Sequence, residues 1–168
     1  LLPTLSRKLR AGDMQGALDS QNRALEFSLF LTLPAAAALI LVGRPILHTV
    51  FEHGAFTRAD TFAVAPVLAA FAAGLPAFTL TKIFQPGFFA REDTKTPMYF
   101  AISAVVLNIA ASFVLSRQFD YVGIAMATSI AAWFNAILLI ATAIGRGHYT
   151  WDKRFQSRLP RMVIALLV

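Results

Sequence analysis

Few side chains in this sequence could do chemistry, and their spacing narrows what that chemistry is. The densest group is Arg91-Glu92-Asp93-Thr94-Lys95, a charged turn bounded by Pro86-Gly87-Phe88-Phe89 and by Thr96-Pro97. Backbone geometry this constrained suits a structural latch or a gate, with Arg91, Asp93, Lys95 and Pro97 as its candidate members. Lys82 lies inside an apolar helix near its end. It reads either as a cation snorkelling to the headgroups or as one lining a polar cavity. Asn108 and Ser112 are four apart, on one helix face, and Thr128 and Asn135 are seven apart, on one face of the next. A short connection lets the two polar faces meet. They read as an interhelical hydrogen-bond clamp, or as a small site of hydroxyl and amide oxygens for a cation or a polar substrate group.

Other chemistry has no residues to carry it. There is no cysteine, which excludes disulfides, thiol catalysis and zinc–thiolate sites. No two histidines stand at helical ligand spacing, and His53 beside Glu52 reads as a solvated loop pair rather than a metal site. No glycine-rich phosphate loop occurs, and Asp13 and Asp19 read as polar-face residues. The expectation is therefore no enzyme and no cofactor, with the cation alternative at Asn108, Ser112 and Thr128 the one candidate ion site.

The elements that must position these groups follow from composition. Of 168 residues, 57% are hydrophobic and only 14% charged, against roughly 25% charged in an ordinary soluble domain. Mean hydropathy is +0.63. Four stretches lack any Asp, Glu, Lys or Arg: Phe27–Gly43, Thr61–Thr81, Thr96–Ser116 and Tyr121–Gly145. A helix needs about 20 apolar residues to cross a bilayer. The predicted fold class is all-α, a polytopic membrane bundle with spans at about 24–43, 60–84, 97–116 and 121–144, and another starting at 158–168. Both chain ends read as cut through apolar helices, so a piece of a longer protein is expected.

Local signals refine this. Gly12 can close a first helix, and Asp13 can cap an amphipathic surface helix that turns into the first span. Pro34 sits inside that span, Arg44-Pro45 ends it, and a short interfacial helix follows over 46–51. Thr57-Arg58-Ala59-Asp60 resembles a capping box. Pro66, Pro76 and Pro86 predict kinks in the second span. Thr96-Pro97 reads as N-cap and first helical position of the third. Gly123, Ala127 and Ala131 predict a close helix approach in the fourth, Trp133 and Phe134 read as packing residues, and Tyr149 and Trp151 as interfacial anchors.

Charge placement predicts orientation. Eleven Lys and Arg fall before the first span, after the second and after the fourth; only Arg44, Arg58 and Arg117 fall on the other side. That bias places the basic loops in the cytoplasm. It also accounts for the net charge of +6 without nucleic-acid binding.

The block Lys82-Ile83-Phe84-Gln85-Pro86-Gly87-Phe88-Phe89-Ala90-Arg91-Glu92-Asp93-Thr94-Lys95-Thr96-Pro97 resembles a segment of the MurJ (MviN) family. These are bacterial lipid II flippases of the multidrug/oligosaccharidyl-lipid/polysaccharide exporter superfamily. Leu2-Pro3-Thr4-Leu5-Ser6, Leu33-Pro34-Ala35, the stretch Phe51-Glu52-His53-Gly54-Ala55-Phe56-Thr57 and Gly74-Leu75-Pro76 agree in order and spacing. The resemblance implies a two-lobe fold of fourteen helices, of which this chain would supply the end of the eighth, the ninth to twelfth and the start of the thirteenth. It implies alternating-access movement of a lipid-linked peptidoglycan precursor across the bacterial inner membrane, with lipid II and membrane lipids as partners. It also implies coupling to sodium or to the membrane potential. Asn108 and Thr128 match a sodium-site placement in some members, whereas Ser112 stands where a carboxylate would strengthen cation binding. The competing readings are another lipid-linked polysaccharide or drug exporter, a membrane-embedded lipid-carrier transferase, and an inactive scaffold.

Overall fold

The computed structural model describes residues 1–150. The expected span at 158–168, the basic residues Lys153, Arg154, Arg158 and Arg161, and Trp151 lie outside the described residues. Five helices follow in order: α1 (Leu2–Arg10), α2 (Met14–Leu41), α3 (Gly43–Phe51), α4 (Arg58–Phe89) and α5 (Lys95–Gly145). No strand occurs among the described residues. Three of the helices, α2, α4 and α5, are long and apolar enough to cross a membrane.

Helix ends follow local chemistry. Asp13 caps α2 by accepting from the Gly16 N–H at 2.8 Å. Thr57 and Asp60 form the predicted capping box at the start of α4. Gly12 and Gly147 have positive φ, and each follows a helix whose last carbonyls take the paired bonds of a Schellman turn. Pro45 stands in the first turn of α3, so Arg44-Pro45 opens that helix instead of ending α2. The amphipathic stretch after Asp13 and the first apolar stretch form one continuous helix, α2.

α4 runs unbroken through Pro66, Pro76 and Pro86. Neighbouring side chains supply donors around the Pro76 interruption. Ser129 Oγ donates to the Ala70 carbonyl at 2.6 Å and Trp133 Nε1 to the Ala73 carbonyl at 3.0 Å. These flank Ala72, whose carbonyl loses its helical donor to the proline ring.

A straight 51-residue helix would be about 77 Å long, far more than the roughly 30 Å of bilayer hydrocarbon. α5 is not straight. Asp120 breaks it with φ 49° and ψ −130°. A Cβ on Gly123 would lie 2.3 Å from the Leu115 carbonyl oxygen, so the chain has folded back on itself. α5 is therefore two antiparallel limbs, which contain the expected spans 97–116 and 121–144.

α4 is the middle layer, packed on α2 and on α5, with α1 against α2 and α4. The core joins Leu18, Leu25 and Leu29 of α2 to Leu80, Phe84 and Phe88 of α4 and to Ala132, Ala136 and Leu139 of α5. Gly123, Ala127 and Ala131 are all buried, as a close approach requires. The first limb of α5 buries only Pro97 and Ala104, and exposes Ile102, Val105, Ile109 and Phe113. Those side chains face lipid or other protein.

Candidate functional site

The charged turn lies where the start of α2, the end of α4 and both ends of α5 converge. Its backbone is built by the end of α4. Glu92 takes a left-handed conformation, φ 61°, while its N–H reaches the Phe89 carbonyl and the Asp93 N–H reaches the Phe88 carbonyl. This is a Schellman turn with glutamate at the position glycine usually holds. The turn delivers Asp93 to the next helix, where its carboxylate accepts from the Thr96 N–H at 3.0 Å. The helix therefore starts at Lys95, earlier than the predicted Thr96 cap, and Pro97 is buried within its first turn.

Asp93 also accepts from Arg146 at 2.6 Å, and Arg146 donates to Thr96 Oγ1 at 3.2 Å. The two ends of α5 are thus clamped together. Hydrogen bonds from Thr96, and then from Arg146, hold the Asp93 carboxyl down at about 2. Arg91 donates to the Gly87 carbonyl at 2.9 Å and to the His148 carbonyl at 3.1 Å, and it reaches Met14 Sδ at 3.4 Å. One guanidinium bridges three elements. Lys95 is exposed at the start of α5.

Below this charged layer lies a buried polar layer. The Tyr149 hydroxyl, on a residue only 1% exposed, donates to Asn22 Oδ1. Gln21 Nε2 donates to the Ile83 carbonyl at 3.4 Å. Tyr149 also packs edge-on against Phe84, with centroids 4.9 Å apart. Tyr149 is therefore a core residue, not the interfacial anchor its position predicts. His148 Nδ1 is buried without a hydrogen-bond partner among the described residues, and burial, then the Arg91 and Arg146 charges, push its pKa down. Arg146, His148, Gln21 and Asn22 were not legible as site residues. Gln21-Asn22 facing an otherwise apolar helix side was the one available signal.

The other candidates lie elsewhere. Lys82 is exposed on α4. Ser112 Oγ donates to Asn108 Oδ1 at 3.0 Å, while Thr128 turns to the Ile124 carbonyl of its own helix. The structure joins the first two and engages the third separately. That donor set, three neutral oxygen groups without a carboxylate, fits a bound sodium ion poorly. No group of three or more His, Asp or Glu has metal-ligand placement among the described residues. Trp133 and Phe134 are partly exposed and line an apolar groove with Leu107 and Ile130. Glu52 pairs with His48 at 2.7 Å, not with His53.

The opposite end of the long helices carries a second polar group. Arg44 and Arg58 lie over the Phe62 ring at 5.4 and 5.9 Å from its centroid. Glu52 also accepts from Thr61 Oγ1 at 3.0 Å, and the His48 bond is the main reason its pKa is lowered.

The whole chain, residues 1–168, matches the family profile described as "Lipid II flippase MurJ". The chain belongs to the MurJ family. It is 49% identical to a probable lipid II flippase MurJ of Rhizobium meliloti (strain 1021), over all of this chain and 31% of that protein. It is 34% identical to the lipid II flippase MurJ of Thermosipho africanus (strain TCF52B), over 71% of this chain and 25% of that one. A solved structure of "Lipid II flippase MurJ, inward closed conformation" superposes with a TM-score of 0.82 at 29% identity, covering 98% of this chain and 34% of its own. The chain spans about a third of the length of the curated relatives it matches. MurJ membership makes it part of a multi-pass membrane transporter family, and the all-α membrane fold follows the same neighbour.

Proposed function

We propose that this chain forms part of a lipid II flippase of the bacterial inner membrane, moving lipid-linked peptidoglycan precursor outward by alternating access. The observation that carries the reading is the match of the whole chain to one family, at up to 49% identity. The lysine- and arginine-rich end, with Arg91, Asp93, Lys95 and Arg146, is the cytoplasmic side in this reading.

The charged turn then serves as a hinge or gate. Its polar bonds to α2 and α5 are few and directional, so they can break together when the helix ends separate. Lys82, one exposed cation on α4, is the substrate-cavity candidate in this chain. Pro97, buried in the first turn of α5, fixes the direction in which that helix leaves the hinge. Energy coupling by sodium or by the membrane potential belongs to the same proposal.

Complementation tests it. The natural-length protein containing this segment, expressed in a strain depleted of its own lipid II flippase, restores growth and clears lipid II from the inner leaflet. Failure to restore growth with the protein present in the membrane overturns the reading. Asp93→Ala abolishes complementation at unchanged expression if the turn is a gate; normal growth removes the gate. Replacing sodium by potassium at a clamped potential separates the two coupling modes.

A further inference from the structure

The far end of the bundle, away from the charged turn, holds a cavity of about 370 Å³ between α3 and the start of α4. That is within the roughly 300–1,000 Å³ of small-ligand pockets. Arg44, His48, Glu52, Arg58, Thr61 and Phe62 line it. The two arginines approach one ring from separate helices, so two cations share one small space.

Neither guanidinium has a carboxylate within ion-pair distance among the described residues, although Arg58 acts on Glu52 through space. The two ion pairs among the described residues are His48–Glu52 and Asp93–Arg146, and neither involves Arg44 or Arg58. The carboxylate of the cavity, Glu52, is engaged by His48 and Thr61. Asp60, one turn into α4, is engaged by the Thr57 N–H and hydroxyl. Two guanidiniums against one carboxylate leave a net positive cavity. Each guanidinium has five N–H donors in a fork that matches a phosphate.

The rim decides between a free anion and an amphiphile. Leu41 and Val42, three and two residues before Arg44, and Phe51, next to Glu52, are exposed apolar side chains, and Phe62, which lines the cavity, is half exposed. A free phosphate has no use for an apolar rim; a lipid places its headgroup in the cavity and its acyl chains along that surface.

We propose that Arg44 and Arg58, over Phe62, form a binding site for the phosphate headgroup of an anionic lipid in the leaflet opposite the basic loops. This site is independent of which lipid the family member transports.

Native mass spectrometry on the natural-length protein in detergent, titrated with phosphatidylglycerol, tests it. The wild type retains phosphatidylglycerol at least about tenfold more tightly than an Arg44→Gln/Arg58→Gln variant, because charge-assisted contacts to phosphate are lost. Diacylglycerol of the same chain length is not retained. Inorganic phosphate, read by competition, binds at least about tenfold more weakly than the lipid. Equal retention in the variant overturns the site and leaves two snorkelling arginines. Competition by inorganic phosphate at equal concentration also overturns it, in favour of a small-anion site. If the glutamine variant aggregates, Arg44→Lys/Arg58→Lys keeps the charge and loses the fork. Weaker retention than wild type supports the proposal, and wild-type retention overturns it.

Discussion

Asp93 joins two tasks in one carboxylate: it caps the start of α5 and it pairs with Arg146 from the other end of the same helix. The two tasks separate by substitution. Asp93→Asn keeps an acceptor for the Thr96 N–H and loses the ion pair; Asp93→Ala loses both. The alanine variant is expected to unfold more easily than the asparagine variant by about 1 kcal/mol, the usual worth of a cap. Thermal unfolding of the purified protein compares them. The folded carboxyl titrates at about 2, below its ordinary 3.8, so its contribution is complete above about pH 4 and is lost as pH falls through 2. His148 acts in the physiological range. Its folded pKa lies below 6.5, so its contribution is full above that value and is lost as pH falls below it. Wild type is expected to lose melting temperature between pH 6.5 and 5 more steeply than His148→Phe. Parallel curves for the two would remove the titration from His148.

At the scale of elements, the approach of α4 to the second limb of α5 rests on small residues. A Cβ on Gly74 would stand 2.6 Å from Ser129 Oγ and 3.2 Å from Ser129 Cα. Neither backbone can yield without moving its helix. Gly74→Ala is expected to cost 1–3 kcal/mol, the range for an overpacked contact, and Ser129→Gly in that background should restore part of it. Additive losses in the double variant would show that the two positions do not share one contact. The reversal in α5 works by the same principle, with Gly123 admitting the Leu115 carbonyl. Sequence periodicity showed that two apolar stretches flank residues 117–120. The short charged connection at 117–120 predicted the reversal; the close contact of Gly123 with the Leu115 carbonyl that shapes it came only from the tertiary structure.

Across the whole molecule, charge asymmetry and helix packing agree. The charged turn, the start of α2 and the end of α5 lie together at one end, and α3 with the start of α4 lies at the other. Single cysteine replacements in this segment, made in the natural-length protein with any cysteines elsewhere replaced, report sidedness. Glu92→Cys is expected to resist a membrane-impermeant maleimide added to intact cells, and His53→Cys to react. The reverse pattern would invert the topology. The broad apolar face left on the first limb of α5 is consistent with a chain that spans about a third of its relatives, since further helices or lipid must cover it.

The sequence by itself determined the helical membrane class, the order of the long helices, the capping at Asp13 and Thr57, and the charged turn at 91–95. Each is a local property: apolar length, a capping residue, a run of charge. Tertiary structure alone decided the partners. Tyr149 goes to Asn22, 127 residues away, Gln21 to the Ile83 carbonyl, Arg91 to the His148 carbonyl and Arg146 to Asp93. The buried groups among them, Tyr149 with Asn22 and Gln21, had to find a partner once water was excluded. Which partner it found depends on how helices far apart in sequence pack side by side, and no local pattern carries that.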